Sequence, residues 1–445
     1  MDAYCRPGKR AFCGAWVLVC LLVVDRPCQG QLGPSISFSG VEAAEARKAA
    51  KKMEERRGNI KIGSAEFSFS GGIKQEYNDN IGLSSTQRMD DFITSPHVGA
   101  QVYWPISELN ALNLNLGLGF NKYLSHPELD TENLLVAPGT VFEFDFYVAD
   151  VHFNVHDRLS IQQDPVLLSQ LSNVATFQRI SNTAGISADW DLNKVKLNAG
   201  YDYNTFASIE NRFSFLDQST DNFYGGVGVQ VASPYLIGVQ GAYSRTKYDQ
   251  DVQNDGTSGT TAAFVNAAIS RRLQGQVSVG YQSSTFDRGG SIGDNSDFNS
   301  VIYSASVIHR ANRWLDHSLA VSQSTAAGIG YNSTETNGGI GSNSIEIHGG
   351  IGSNFTEIHG VNYQATAEVA RNVSSSIVFS YQFFNDSQSA TSENGERYTF
   401  TLQLSYQFIK DTSCNLGYQR TEKDSSLIRN DYEQNRVYVD FTHRF

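Results

Sequence analysis

Cysteine is almost missing from the body of this sequence: four of its five cysteines (Cys5, Cys13, Cys20, Cys28) fall within the first thirty residues, leaving Cys414 alone. A single thiol builds no internal disulfide framework, so stability must come from a packed core or from a membrane. Proline and methionine are scarce, at 9 and 3 of 445 residues, whereas Gly 39, Tyr 21 and Phe 26 lean towards sheet. Beyond the N-terminus no apolar run reaches about twenty residues, which excludes transmembrane helices. It does not exclude a membrane, because barrel strands alternate apolar with polar residues and average to a modest hydropathy. The mean hydropathy of this chain is −0.32. An excess of basic residues is also lacking, and the net charge is −12. Nucleic acid is therefore not an expected partner, since phosphate neutralisation needs clustered Lys and Arg.

What is present begins with an export signal. Arg6, Lys9 and Arg10 precede the apolar run Ala11 to Val24, and the small residues Cys28 and Gly30 follow, so residues 1–30 read as a signal peptide cleaved after Gly30. These residues carry four basic and two acidic side chains, so without them the balance is 30 Lys+Arg against 44 Asp+Glu, a net charge of −14. Residues 31–61 read as a periplasmic lead segment with a helix over Val41 to Arg57, rich in helix formers and in Glu placed three or four before Lys or Arg.

From residue 62 to residue 445 one rhythm persists. Leu112, Leu114, Leu116, Leu118 and Phe120 alternate with Asn113, Asn115, Gly117, Gly119 and Asn121, and Phe142, Phe144 and Phe146 with Glu143, Asp145 and Tyr147. Period-two alternation puts one set in hydrocarbon and the other in water. About eighteen such segments run from Ala65–Tyr77 to Gln434–Phe445, among them Asn110–Leu124, Thr176–Asp189, Tyr235–Tyr248, Thr261–Arg271, Phe298–Arg310 and Gly360–Ala370. Long polar connections alternate with short ones, as expected when loops lie at one membrane surface and turns at the other. The final segment, with Val437, Val439, Phe441, His443 and Phe445 on one face, would be an open edge unless the first strand paired with it. The pattern predicts an all-β fold: a transmembrane antiparallel up-and-down barrel of about eighteen strands. Aromatics at the ends of outward faces, such as Tyr398 and Phe408 or Tyr235 and Tyr243, suit two interfacial girdles.

The polar faces supply lumen-lining candidates: Glu66, Lys74, Glu76, Glu143, Asp145, His152, Arg158, Lys194, Lys196, Asp202, Glu368, Arg436, Asp440 and Arg444. Charge rings of this kind tune ion preference, and the amide, hydroxyl and aromatic groups among them suit neutral sugars. Catalytic and metal patterns are weak, and no cofactor is called for. Gly289, Ser291 and Gly293 match G-x-S-x-G without the helix that a nucleophile elbow needs. His152 and His156 are four residues apart on one strand, roughly 13 Å, too far to share a metal unaided. Asp249, Asp251 and Asp255 with Gly256 resemble part of a calcium loop, but Gln253 and Asn254 break its spacing. The repeat Gly338–His348 and Gly349–His359 has an odd period of eleven, which would swap faces within one strand, so both copies are expected outside the bilayer.

The stretch Gly71 to Ser84, GGIKQEYNDNIGLS, with Tyr77, Asn78, Asp79, Asn80 and Ile81 closing a glycine-containing strand, resembles the opening motif of the putative β-barrel porin 2 family of bacterial outer membranes. The resemblance implies passage of small polar solutes or saccharides through a barrel held in outer-membrane lipid. It also implies a link with polysaccharide export machinery, since some members sit among exopolysaccharide export systems. The expected function is a passive outer-membrane channel. Alternatives are a non-conducting barrel serving as surface receptor or adhesin, and a barrel-embedded hydrolase assembled from different strands.

Overall fold

The computed structural model describes residues 60–167, 171–232, 234–291, 293–327, 353–387 and 392–445. The residues read as a signal peptide, the helix expected over Val41 to Arg57 and most of the duplicated loop lie outside the described residues.

Alternating sequence becomes alternating wall. The chain opens with β1 (Ile60–Ile62), β2 (Ala65–Asn78), β3 (Asp91–Pro105), β4 (Ala111–Gly119), β5 (Lys122–Tyr123), β6 (Leu135–Val136) and β7 (Val141–Val148). It continues through β8 (Val151–Gln162), β9 (Arg179–Leu192), β10 (Val195–Ser208), β11 (Gln218–Ala232), β12 (Tyr235–Tyr248), β13 (Gly256–Ala267) and β14 (Leu273–Phe286). The last seven are β15 (Phe298–Arg310), β16 (Leu315–Ala327), β17 (Phe355–Ala370), β18 (Val373–Asp386), β19 (Asn394–Ile409), β20 (Thr412–Ser425) and β21 (Tyr432–Arg444). Leaving aside the short β1, β5 and β6, eighteen strands form the staves of one antiparallel barrel. The seam is closed by β21 against β2, in register from Ser70 opposite Arg444 to Asn78 opposite Arg436. The terminal strand thus has β20 on its other side and leaves no edge unpaired.

The apolar side chains that alternate along each strand are the exposed ones: Val98, Val239, Val277, Val279 and Phe441 are each about half exposed, as a lipid-facing band requires. Tyr203, Phe223, Tyr243, Tyr281 and Tyr303 form the upper aromatic level of this face, and Trp104, Trp190, Tyr235, Trp314 and Phe408 the lower. The short turns cluster at the lower end and use left-handed backbone at Ala149, Asn193 and Asn372, with φ of 52°, 69° and 65°.

Four segments differ from their sequence expectation. The strand expected over Asn110–Leu124 is broken into Ala111–Gly119 and the two-residue Lys122–Tyr123, because the Thr131 and Asp130 side chains take the Asn121 and Tyr123 amides. The strand expected over Thr261–Arg271 is shifted to Gly256–Ala267, because Thr257 and Thr285 extend the β13–β14 ladder through a hydroxyl contact of 3.0 Å while the Ser270 hydroxyl accepts the Arg272 and Leu273 amides in a turn. The strand expected over Thr176–Asp189 begins at Arg179, since Phe177 is buried in a loop core instead. β17 starts at Phe355, so the last five residues of the second repeat copy are strand, paired to both β16 and β18.

Candidate functional site

The register divides the inner wall into two sectors. Across β11–β18 the inward positions hold Gln, Asn, Ser, Thr, Gly and a few apolar side chains, and among the described residues charge enters only at the rims, in Arg310, Asp316, Glu368 and Asp386. From β19 round through the seam to β10 the inward positions carry Arg397, Lys423, Arg436, Asp440, Arg444, Lys74, Glu76, Glu143, Asp145, Arg158, Lys196 and Asp202. Large inward side chains lie flat along the wall where the facing strand offers glycine. A Cβ at Gly417 would stand 2.1 Å from the Tyr438 ring and one at Gly200 2.3 Å from the Tyr224 ring, so glycine keeps these rings out of the lumen.

The charged sector is largely neutralised by its own pairs. Arg158 Nη2 lies 3.2 Å from Glu143 Oε1, and Lys196 Nζ lies 2.9 Å from Asp191 Oδ2. His152 Nε2 is 2.9 Å from Asp145 Oδ1 and its Nδ1 faces Asp189 at 3.8 Å, while His156 meets Asp202 at 3.1 Å and Asn154 at 2.9 Å. Both nitrogens of both rings are therefore occupied by acid or amide groups rather than by a serine hydroxyl, an arrangement unsuited to activating a nucleophile. His97 Nε2 lies 3.7 Å from Asp440 Oδ1. Lys194 falls in the β9–β10 turn at the lower rim, rather than on the wall.

A loop narrows the lumen on this side. Residues 163–167 and 171–178, between β8 and β9, fold inward and reach β19, seven staves away round the barrel. Arg397 donates to the Val166 carbonyl; Lys423 Nζ donates to Ser172 Oγ at 3.0 Å, and that hydroxyl donates to the Asn430 carbonyl at 2.8 Å. Asn173, at φ 58°, donates its backbone N–H to the Leu83 carbonyl at 3.0 Å and its side-chain amide to the Arg429 carbonyl at 2.8 Å. Below these contacts Arg436 bridges Glu76, at 2.6 Å, and Asp164, at 2.6 Å, while Lys74 holds the other Glu76 oxygen at 2.8 Å. Glu76 is only 2% exposed and Arg436 13%, so each charge depends on the others for solvation. Burial raises the Asp164 carboxyl, but the Arg436 charge outweighs it and holds the group below the usual carboxylate range. An apolar core of Leu171, Val174, Phe177, Phe213, Phe215 and Leu216 seats the far side of the loop on the β10–β11 connection.

The motif at the end of β2 locks the seam above the wall. Asp79 accepts the Asn435 backbone N–H at 2.6 Å and its side-chain amide at 2.7 Å. Asn80, wholly buried, donates to the Ser84 and Glu433 carbonyls at 2.8 Å each and accepts the Ser84 amide at 3.1 Å, and Ile81 packs on Ile93 and Tyr123.

Sequence reasoning placed Arg436 and Glu76 towards the lumen but missed their partner Asp164 and the clamp residues Arg397, Lys423, Ser172 and Asn173. The available signal was the presence of Leu171, Val174, Phe213 and Phe215 in connections otherwise read as polar. Gly289, Ser291 and Gly293 lie in the β14–β15 loop, where the Ser291 amide donates to the Asp251 carbonyl. Asp255 accepts the Tyr248 amide at 2.8 Å, as a turn residue does. Among the described residues no group of three His, Cys, Asp or Glu side chains is arranged to hold a metal ion.

Solved structures of bacterial porins are similar to this one. A BenF-like porin from Pseudomonas fluorescens Pf-5 matches with 10% identity and a TM-score of 0.48, over 86% of this chain and 100% of that one. OccK5 (OpdH) from Pseudomonas aeruginosa matches with 12% identity and a TM-score of 0.45, over 85% and 98%. OccAB3 from Acinetobacter baumannii matches with 11% identity and a TM-score of 0.44, over 85% and 99%. No curated protein sequence matches the chain. The family model described as "Putative beta-barrel porin 2" matches residues 60–445, the whole of the closed wall from β1 to the last residue. The chain belongs to this porin family, and it is a barrel of the bacterial outer membrane.

Proposed function

We propose that this barrel is a passive pore for small, hydroxyl-rich polar solutes, saccharides foremost, and that the path runs along the uncharged sector. One observation carries the reading: β11–β18 present amide and hydroxyl groups with charge only at the rims, opposite a charged sector whose ions are mostly spent on one another and on the loop clamp. Amides and hydroxyls replace water around a neutral polyol at little electrostatic cost, whereas a bare ion gains less from a wall without counter-charge than from a ring of opposite charge. Passage of a polysaccharide strand, and docking with export machinery on either side, would in addition require residues 163–167 and 171–178 to leave the lumen. The chemistry is that of a channel and not of an enzyme.

Single-channel recording in planar bilayers tests this reading. Expected are discrete conductance steps in potassium chloride and transient, concentration-dependent current blocks on adding maltose or a longer oligosaccharide. A folded, heat-modifiable barrel that never conducts would refute the pore and leave the surface-receptor reading.

A further inference from the structure

We propose that the periplasmic mouth of the lumen holds a binding site for an acidic sugar, with Arg444 receiving its carboxylate; the role in transport rests on the pore reading, whereas the site itself does not. Lys74, Arg158, Lys196, Lys423 and Arg436 each lie against a carboxylate. Arg444 points inward from the other end of the same terminal strand, opposite Ser70 in the seam register, and its guanidinium has no ionic partner among the described residues. Its backbone alone is tied, through an N–H donated to the Asp411 carbonyl at 2.8 Å. Arg444 borders a cavity of about 190 Å³ shared with Ser70, Gln101, Lys410, Asp411 and Thr442. Gly99 leaves room for this hollow, since a Cβ there would stand 2.6 Å from Ser70 Oγ.

The lining specifies the ligand class. Arg444 and Lys410 set two positive charges against the single carboxylate of Asp411. A guanidinium presents paired donors that match a carboxylate in two-point fashion, with the lysine ammonium adding a point charge. Asp411 would repel a bare anion, yet it accepts hydrogen bonds from hydroxyl groups, and the surrounding serines and threonines both donate and accept. A neutral sugar would leave the two cations unanswered. A molecule with one carboxylate and several hydroxyls answers both signs of charge, and the cavity, smaller than the roughly 300 Å³ at which drug-sized pockets begin, suits a ligand of about one pyranose ring.

The test is calorimetric titration of the detergent-solubilised full barrel with glucuronate, glucose and acetate. Expected is tighter binding of glucuronate than of either fragment, a loss of about tenfold for glucuronate in Arg444→Gln, and little change for glucose. Lys410→Gln, a turn substitution outside the wall, provides a second variant should Arg444→Gln fail to fold, and is expected to weaken glucuronate by a smaller factor. Equal glucuronate binding by wild type and both variants would overturn the site, as would glucose or acetate binding as tightly as glucuronate. A barrel that binds glucuronate through Arg444 but passes no current would refute the pore and keep the site. A conducting barrel whose glucuronate binding ignores Arg444 and Lys410 would refute the site alone.

Discussion

The two sectors of the lumen are built from the same alternating strands and differ only in what the inward positions carry. In β11–β18 those positions hold mostly small polar groups, with buried aromatics such as Phe264, Phe298 and Phe384 among them. In β19–β21 and β2–β10 they hold charges that the narrow lumen desolvates, and the chain answers with pairs and with a loop brought across from β8. Charge in a confined wall is thus a structural obligation first, and it recruits the loop.

The largest effect should come from removing the cation that joins wall and loop. Arg436→Gln leaves Glu76, only 2% exposed, and Asp164 without their shared partner. A loss of about 3–5 kcal/mol is expected in urea unfolding, as for a broken buried ion pair. The same variant should show a larger single-channel conductance, because the loop loses its main anchor. An unchanged conductance would mean that the loop does not set the narrowest point.

Next in size is an inverse experiment on the neutral side. Ser304→Asp places one charge at an exposed inward position of β15, where no cation stands ready to neutralise it. The reversal potential in a salt gradient should shift towards cation preference with stability within about 0.5 kcal/mol of wild type. Glu143→Gln on the charged side releases Arg158 from its pair and should shift it the opposite way. Equal responses of the reversal potential to Ser304→Asp and to a charge placed on the lipid face would contradict the assignment of faces.

A smaller loss is expected at the seam. Asp79→Ala removes both acceptors that hold Asn435 and should cost about 1–3 kcal/mol, seen as a lower temperature for loss of the fast-migrating folded band on gels. The smallest effect concerns pH. Because the Asp164 carboxyl is depressed in the folded barrel, its contribution is full above the ordinary carboxylate value and is lost only as pH falls through the depressed one. Conductance should therefore stay level from neutral pH down to about 4 and rise below it.

The staves were legible because each lies between oil and water, so its two faces must differ at every second residue. Tyr235–Tyr248 and Phe298–Arg310 have the bounds that alternation alone assigns. The motif Tyr77 to Ile81 was legible as a resemblance, and its physical reason, the clasp of Asp79 and Asn80 on the last strand, emerged only in three dimensions. The loop path was not legible, since it is decided by groups far apart in sequence, such as Val166 with Arg397 or Ser172 with Asn430. No local periodicity encodes such pairs. The β13 shift has a similar origin: Gly256 and Thr257 read as loop residues until Thr285 on the neighbouring strand gives the hydroxyl a partner.

The most direct measurement is osmotic swelling of liposomes carrying the purified barrel, in isosmotic arabinose, glucose, maltose and raffinose. A passive pore along the neutral sector predicts fast swelling in arabinose, rates that fall steadily with solute size, and a rise for the larger sugars in Arg436→Gln. Liposomes that hold their size in arabinose, with the barrel shown to be folded in them, would contradict it.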